Sequence, residues 1–413
     1  MDRSFDELKE YYDTVLNVDK STYTNTNDEP TPIGCVMEMV SKIPDELFLR
    51  PGLKILDPCC GNGNFAVVLR HKLTELGQPI DIHFNDINEK RLKNVKTIFK
   101  TDKITNYDFL SPDHHWDQYD LIVANPPYAK IMENGKRASK NHNLIKDFIQ
   151  KSLSVLKPNG YLLFITPDNW MSYADRNTLI QTLTKLQIIH LDIHSAKKYF
   201  KKIGSSFTWY IIQNCPFYQD ISVSGVWKKI EYRSSVKSGE RKYIPLVYND
   251  LVQSILSKTI DNPLFKKFEV KTSSDLHRYT KSSLISNDSN GVFKYRLIHT
   301  PSQTVYASRP HKFQKNFKVF ISTTDRYKVF IDDCGMTQSI AFILCNTLEQ
   351  ATEYLKILEH PLYVFINNIC RWGNFNNVRI LQSFPIPENT DIYSFFKMCP
   401  EEIKFIEKCN TGK

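Results

Sequence analysis

Among nine cysteines (Cys35, Cys59, Cys60, Cys215, Cys334, Cys345, Cys370, Cys399 and Cys409) there is no Cys-x-x-Cys pair and no ordered His/Cys spacing, so nothing supports a metal site. No stretch approaches the ~18 apolar residues of a membrane-spanning helix, and Met1 to Lys20 is charged, without the apolar centre of a secretion signal. These gaps point to an intracellular, cytoplasmic protein with reduced thiols and no membrane partner. Repeats of fixed period are missing, and so is the depletion of apolar residues that marks disorder, since hydrophobic residues make up 41% and charged ones 24%. What remains is 413 residues of ordinary globular composition, room for two or three domains at ~100 to 200 residues each.

Acidic residues are short in one half only. Residues 1–220 hold 27 Lys plus Arg against 27 Asp plus Glu, so the whole net charge of +9 arises beyond them. Residues 221–350 carry 20 basic and 11 acidic side chains, while 351–413 carry 7 of each. A cationic block behind a neutral half suggests that a polyanionic partner meets the second half.

From Leu53 to Asn214 short apolar runs alternate with amphipathic stretches, the pattern of a βαβ sheet. Seven strands are expected at Lys54 to Asp57, Ile80 to Asn85, Lys103 to Tyr107, Leu121 to Ala124, Tyr161 to Thr166, Ile188 to Ile193 and Ser206 to Ile212. Helices fall between them at Phe65 to Leu76, Asn88 to Lys100 (with an Asn cap) and Leu144 to Leu156, the last stopped by Lys157-Pro158-Asn159-Gly160. The last two strands lie so close in sequence that the sheet is expected to finish in an antiparallel hairpin. The fold class is thus α/β and Rossmann-like, with a mixed α+β domain behind it. Ser21 to Pro32 reads as a connector after an N-terminal helix and Asn214 to Asp220 as a boundary, dividing the chain into 1–30, 31–218 and 219–413.

Three strand ends carry chemistry. Leu56-Asp57-Pro58-Cys59-Cys60-Gly61-Asn62-Gly63-Asn64-Phe65 is a strand end, a Gly turn and a helix start, which lets backbone approach a ligand while Asp57 receives a cationic group. The same residues also suit a plain tight turn. Phe84-Asn85-Asp86 puts a carboxylate where a nucleoside ribose would bind, although a strand-end Asp also caps helices. Asp120-Leu121-Ile122-Val123-Ala124-Asn125-Pro126-Pro127-Tyr128 ends a buried strand in an amide, two prolines and a ring. The prolines fix the backbone, so that the Asn125 side chain and the Pro126 carbonyl converge as two acceptors beside the flat face of Tyr128. That set suits a planar amino group held by two acceptors and clamped by a ring. The Pro58-Cys59 pair lies in the Gly turn, not after the fourth strand, and is rejected as a nucleophile.

Asn-Pro-Pro-Tyr after a fourth strand, with Asp-Pro-x-x-Gly-x-Gly-x-Phe after a first, resembles the S-adenosylmethionine-dependent amino-methyltransferases. Thr31-Pro32-Ile33-Gly34 ahead of the Gly loop and a long domain behind resemble their gamma class, the N6-adenine DNA methyltransferases of restriction-modification type. The likeness covers residues 20 to 215 well, and the second half in outline. Arg371-Trp372-Gly373-Asn374-Phe375 to Phe384-Pro385-Ile386-Pro387 is similar to the end of their target-recognition domains.

The resemblance implies roles residue by residue. Thr31 would touch the methionine carboxylate of the cofactor, and Asp57, Cys59, Gly61, Gly63 and Phe65 would surround its methionine portion. Asp86, followed by Ile87, would take the ribose hydroxyls. Asp108 would accept from the adenine amino group, with Phe109 and Phe148 against the ring. Asn125, Pro126 and Tyr128 would form the reaction site, with Phe200 the second ring facing a flipped base and Lys197 beside it. Phe207 or Tyr199 could serve in place of Phe200. The partner would be double-stranded DNA, with a companion restriction endonuclease encoded separately, in a bacterial or viral setting. Basic Ala129 to Asn143, including Lys130, Lys136, Arg137 and Lys140, would be a loop near the DNA, or a plain solvated one. Arg278, Arg296, Arg309, Lys312 and Arg326 are candidates for DNA contact. Cytosine N4, RNA adenine and protein glutamine methylation remain alternatives, as does an inactive nucleic-acid-binding relic.

Overall fold

The computed structural model describes residues 3–19, 21, 29–128, 144–175, 177–201, 204, 206–324, 326–388 and 391–411. The chain divides into two compact units, the first made of Met1–Trp170 and Thr178–Arg241, the second of Met171–Asn177 and Lys242–Lys413.

The first unit is built on one sheet of β1 (Ile55–Asp57), β2 (Ile82–Asn85), β3 (Ile104–Thr105), β4 (Tyr119–Ala124), β5 (Leu156–Pro167), β6 (Leu186–Ile193), β7 (Phe207–Pro216), β8 (Ile221–Trp227) and β9 (Ile230–Val236). Their order is β3-β2-β1-β4-β5-β7-β6-β8-β9. Strands β1 to β5 pair in parallel, and β7 inserts antiparallel between β5 and β6. The helices are α1 (Phe5–Tyr11), α2 (Ile33–Val40), α3 (Asp45–Phe48), α4 (Asn64–Glu75), α5 (Glu89–Phe99), α6 (Leu144–Ser154) and α7 (Thr178–Thr184). Strand β4 is buried at all six positions, as expected for a strand covered on both faces. The core joins Phe65, Val67, Leu69 and Leu73 of α4 to Ile55, Phe84, Leu121, Val123 and Leu163 of the sheet and to Tyr12 from the N-terminal segment.

The described sheet has nine strands where seven were expected. The surplus is the β8–β9 hairpin, and β8 adds in parallel to β6, covering an edge that would otherwise be open. Residues 219–241, grouped in sequence with the second half, therefore lie in the first unit. A second difference concerns Lys157-Pro158-Asn159-Gly160. Helix α6 ends earlier, at Ser154, and the tetrapeptide is an irregularity inside β5, where the pairing with β4 jumps from Tyr119–Leu156 to Leu121–Tyr161 and Asn159 takes φ 59°. Strand β3 stops at Thr105 because Asn106 and Tyr107 turn to bond the end of β2.

The second unit holds two four-stranded sheets formed by β10 (Lys271–Thr272), β11 (Ile285–Ser286), β12 (Tyr295–Thr300), β13 (Gln303–Ala307), β14 (Lys318–Ser322), β15 (Val329–Asp332), β16 (Gly335–Met336) and β17 (Ile340–Leu344). One runs β10-β17-β14-β15 and the other β11-β13-β12-β16. Helices Asp250–Lys258, Leu348–Glu359, Pro361–Ile369, Val378–Gln382, Ile392–Phe395 and Pro400–Thr411 also belong to this unit.

Candidate active site

The chemistry-bearing residues gather where β1, β2 and β4 end, all at one edge because these strands run parallel. The turn after β1 is held from below. Gly61 (φ 54°) and Gly63 (φ 88°) adopt left-handed backbone, and the Gly63 amide donates to the Cys60 carbonyl at 2.8 Å. A side chain on Gly63 would collide with Phe99, its Cβ 2.7 Å from Cε2, whereas at Gly61 the same construction meets open space. Gly61 thus faces open space, and Gly63 packs against α5. Asp86 reaches across from β2, its Oδ2 accepting the Gly61 amide and its Oδ1 the Asn88 amide, both at 2.8 Å.

Two residues that the sequence reading did not assign a role organise this turn. Asn85 donates from Nδ2 to the carbonyls of Pro58 (2.9 Å) and Tyr107 (3.0 Å) and accepts the Tyr107 amide (3.1 Å), stitching the ends of β1, β2 and β3 together. Tyr12, fully buried, donates its hydroxyl to the Asn62 carbonyl at 2.6 Å. Asn85 sat in a quoted motif, and its burial was the missing signal; nothing near Tyr12 in sequence links it to the Gly turn.

Asp57 is 1% exposed, and neither of its carboxylate oxygens has a hydrogen-bond partner. Burial pushes its pKa well above the usual carboxylate range and the Asp86 carboxylate adds to this, against a smaller opposing effect of the nearby Cys59 amide. Thr31 is likewise buried with its hydroxyl unpartnered. Its carbonyl accepts from Asn64 Nδ2 at 2.8 Å, which fixes the segment before α2 against the start of α4. Unpartnered buried polar groups are costly, and Thr31 and Asp57 each hold one.

At the end of β4, Asn125 Nδ2 donates to the Glu29 carbonyl at 3.1 Å, and its Oδ1 accepts from the Tyr128 hydroxyl. Cys59 Sγ lies 3.6 Å from the Asn125 carbonyl, tying this loop to the Gly turn. Pro126 is buried and Pro127 exposed. The Tyr128 ring is 6.0 Å from that of Phe207, which in turn lies 4.7 Å from Phe200.

The other expected residues fall as follows. Phe109 is buried between Trp116 (5.2 Å) and Phe148 (5.7 Å), so these rings form one apolar wall, while Asp108 is exposed and its Oδ1 accepts the Leu110 amide at 3.0 Å. Phe65 is buried in the core and Ile87 is 70% exposed. Phe200 and Phe207 are both buried in the core, 3% and 4% exposed, and of the two it is Phe207, the named alternative, whose ring contact with Tyr128 is direct, with Phe200 packed behind it. Tyr199 is engaged elsewhere, its hydroxyl donating to Glu38 at 2.9 Å. Lys197 is half-buried in the turn Ser195–Lys198. Lys130, Lys136, Arg137 and Lys140 lie outside the described residues.

In the second unit, two of the basic candidates are already paired. Arg296 binds both oxygens of Asp332 (2.6 and 2.8 Å) and Arg309 binds Asp275 (2.8 Å), a bond that brings Asp275 down to about 2. Arg278 donates to Asn287 at 2.9 Å, the Lys312 ammonium lies 4.9 Å from the Phe313 ring, and Arg326 is exposed. Among the described residues no group of three or more His, Cys, Asp or Glu is arranged to hold a metal ion, and no helix is long and apolar enough to cross a membrane.

Residues 64–200 match the family model described as Eco57I restriction-modification methylase. A type II methyltransferase, M.VspI of Vibrio sp. (strain 343), is 32% identical over 152 residues, 34% of this chain and 37% of that protein. A tRNA (guanine(6)-N2)-methyltransferase of Thermus thermophilus is 29% identical over 122 residues, 28% of this chain and 35% of that protein. The chain thus spans little more than a third of the length of either relative. In fold it is similar to a nuclease-deletion mutant of the type ISP restriction-modification enzyme LlaGI, solved with a DNA substrate mimic, with a TM-score of 0.55, 12% identity, and coverage of 97% of this chain and 56% of that one. Residues 64–200 are thus similar to a restriction-modification methylase, and they lie in the unit built on the mixed nine-stranded sheet.

Proposed function

We propose that this chain is a gamma-class, site-specific DNA methyltransferase that moves a methyl group from S-adenosylmethionine to the N6 amino group of an adenine turned out of duplex DNA. The observation that carries the reading is Asn125, whose amide is oriented by the Glu29 carbonyl so that Oδ1 faces away from it towards Tyr128.

The residues at the strand ends fit the cofactor. The unpartnered Thr31 hydroxyl and Asp57 carboxylate suit its methionine end, and the open space at Gly61 admits it against the backbone. Asp86, which accepts the Gly61 and Asn88 amides, stands at the end of β2 where ribose hydroxyls would approach, and Phe109 with Phe148 offers an apolar wall for a purine. Bound there, S-adenosylmethionine supplies an electrophilic methyl group.

An exocyclic amino nitrogen is a poor nucleophile, since its lone pair is delocalised into the ring. Asn125 Oδ1 and the Pro126 carbonyl would each accept one of its hydrogens and favour a tetrahedral nitrogen with its lone pair directed at the methyl. The Tyr128 hydroxyl would yield its place on Oδ1 to the arriving amino group, leaving its ring to stack on the base. No general base is needed before transfer, because the proton leaves once the nitrogen is methylated and cationic. Turning the base out costs a few kcal/mol, which stacking worth ~1 to 3 kcal/mol can largely offset. The basic residues of the second half would contact phosphates and read the target sequence, and a separately encoded endonuclease would act at the same site.

The test is to incubate the protein with methyl-labelled S-adenosylmethionine and either unmethylated duplex DNA of mixed sequence or total RNA, then digest to nucleosides. Label in N6-methyladenine from DNA is expected. Label in N4-methylcytosine alone would move the target base, and label from RNA alone would favour the second reading, an RNA amino group, towards which the tRNA-modifying relative points.

A further inference from the structure

Strand β8 runs in the same direction as β4, because β5 is parallel to β4, β7 antiparallel to β5, β6 antiparallel to β7, and β8 parallel to β6. The tip of the β8–β9 hairpin therefore stands at the edge of the sheet that holds Asn125 and Tyr128. It is four strands away, ~19 Å at the usual spacing. The first residue of β7, Phe207, lies between and touches Tyr128, which confirms the shared edge.

The tip is a two-residue turn closed by the Trp227–Ile230 pair, and its residues are Lys228 (φ 48°) and Lys229 (φ 68°). Both φ values are positive, as a type I′ turn requires, and such turns favour Asn-Gly because a Cβ is disfavoured there. Two lysines are a poor local choice for this backbone. The hairpin beneath them is closely packed, since a Cβ on Gly225 would lie 2.6 Å from the Tyr232 ring that covers it across the strands. Lys228 is held over the Trp227 ring at 4.6 Å, and both lysines are exposed. Along the same edge, after β6, comes exposed Lys201, and Lys198 there is paired with Glu38 at 2.8 Å. Glu231 is the acidic group on the hairpin.

We propose that the Lys228–Lys229 turn is a phosphate-binding rim of the first unit, which grips the backbone of the nucleic acid ~19 Å from the reaction site, or about five to six base pairs at 3.4 Å each. The inference rests on the methyltransferase reading above and adds to it a contact surface outside the second half. The turn sets the two charges side by side at the end of the hairpin, and local conformational preference is sacrificed for them.

Replacing Lys228→Asn together with Lys229→Gly tests this in the full chain, because the two effects have opposite signs. The melting temperature should rise, since Asn-Gly fits the turn. The affinity for duplex DNA should become less dependent on salt, with the logarithmic slope reduced by about 2, so that wild type loses about twelve-fold more affinity than the variant between about 50 and 200 mM salt. Binding of S-adenosylmethionine should stay unchanged. Shortening the duplex to about three base pairs beyond the target on the rim side should erase the difference between the two proteins. Lys228→Glu with Lys229→Glu should weaken binding further. An Asn-Gly variant with wild-type affinity and salt slope would overturn the rim, as would lost binding accompanied by a lowered melting temperature. A wild-type chain that binds no duplex would overturn the methyltransferase reading itself along with the rim.

Discussion

The Tyr128 hydroxyl donates to the side-chain oxygen of Asn125, so the acceptor assigned to the target amino group already holds an internal donor. The other half of the amide is committed to the Glu29 carbonyl, which prevents it from flipping without loss of a hydrogen bond. Under the proposed function Asn125 would thus enter the reaction oriented, its oxygen satisfied until a substrate arrives.

Asn125→Ala should abolish methyl transfer and leave S-adenosylmethionine affinity nearly intact, measured by calorimetry. Asp86→Ala should do the reverse and weaken cofactor binding first, because it also frees the Gly61 amide. Tyr128→Phe should retain activity within about ten-fold, since the ring persists, whereas Tyr128→Ala should weaken substrate binding by the ~1 to 3 kcal/mol of a stacked base. Loss of cofactor binding in Asn125→Ala would show that the site is misassigned.

The two glycines of the turn should respond differently to alanine. Gly63→Ala sets a Cβ 2.7 Å from Phe99 on left-handed backbone and should lower stability as well as cofactor affinity. Gly61→Ala meets open space, so beyond the ~1 to 2 kcal/mol of left-handed backbone its effect should fall on cofactor affinity. Urea unfolding separates the two.

Tyr12→Phe removes the donor to a buried carbonyl, that of Asn62, and should cost ~1 to 3 kcal/mol of stability. Cofactor affinity should fall with it, since Asn62 lies between the two glycines of the turn.

A buried chain runs from His190 Nε2 to Ser224 Oγ (3.0 Å) and on to Asp192 Oδ2 (2.8 Å). Burial lowers His190 to about 4 and raises Asp192 to about 6, the latter against hydrogen bonds from Ser195 and Ser224. Between those values the unfolded chain carries a proton on His190 and none on Asp192, and the native chain the reverse. Proton counts are equal, so together the pair gives no slope of stability with pH. His190→Gln leaves the extra native proton on Asp192, and stability relative to wild type should fall as pH rises through the window, by up to ~1.4 kcal/mol per pH unit. Asp192→Asn should give the opposite slope. Denaturant unfolding across the window reads both, and parallel slopes in the two variants would refute the pairing.

The sequence by itself determined the parallel sheet and the places where its strands end, because apolar runs and Gly or Pro stops are local and each strand end carried its own signature. Asp57, Asp86 and Asn125 were legible for that reason. Only the tertiary structure decided which groups serve them. Tyr12 reaches Asn62 across fifty residues, and Asn85 binds three loops at once, through contacts that no local pattern records. Phe200 and Phe207 looked equivalent as aromatic residues and are equally buried, and only the packing shows that Phe207 is the one against Tyr128, with Phe200 behind it. The β8–β9 hairpin escaped for the same reason, since a strand pair is assigned to a sheet by hydrogen bonds to a distant edge, here that of β6, and not by its own sequence.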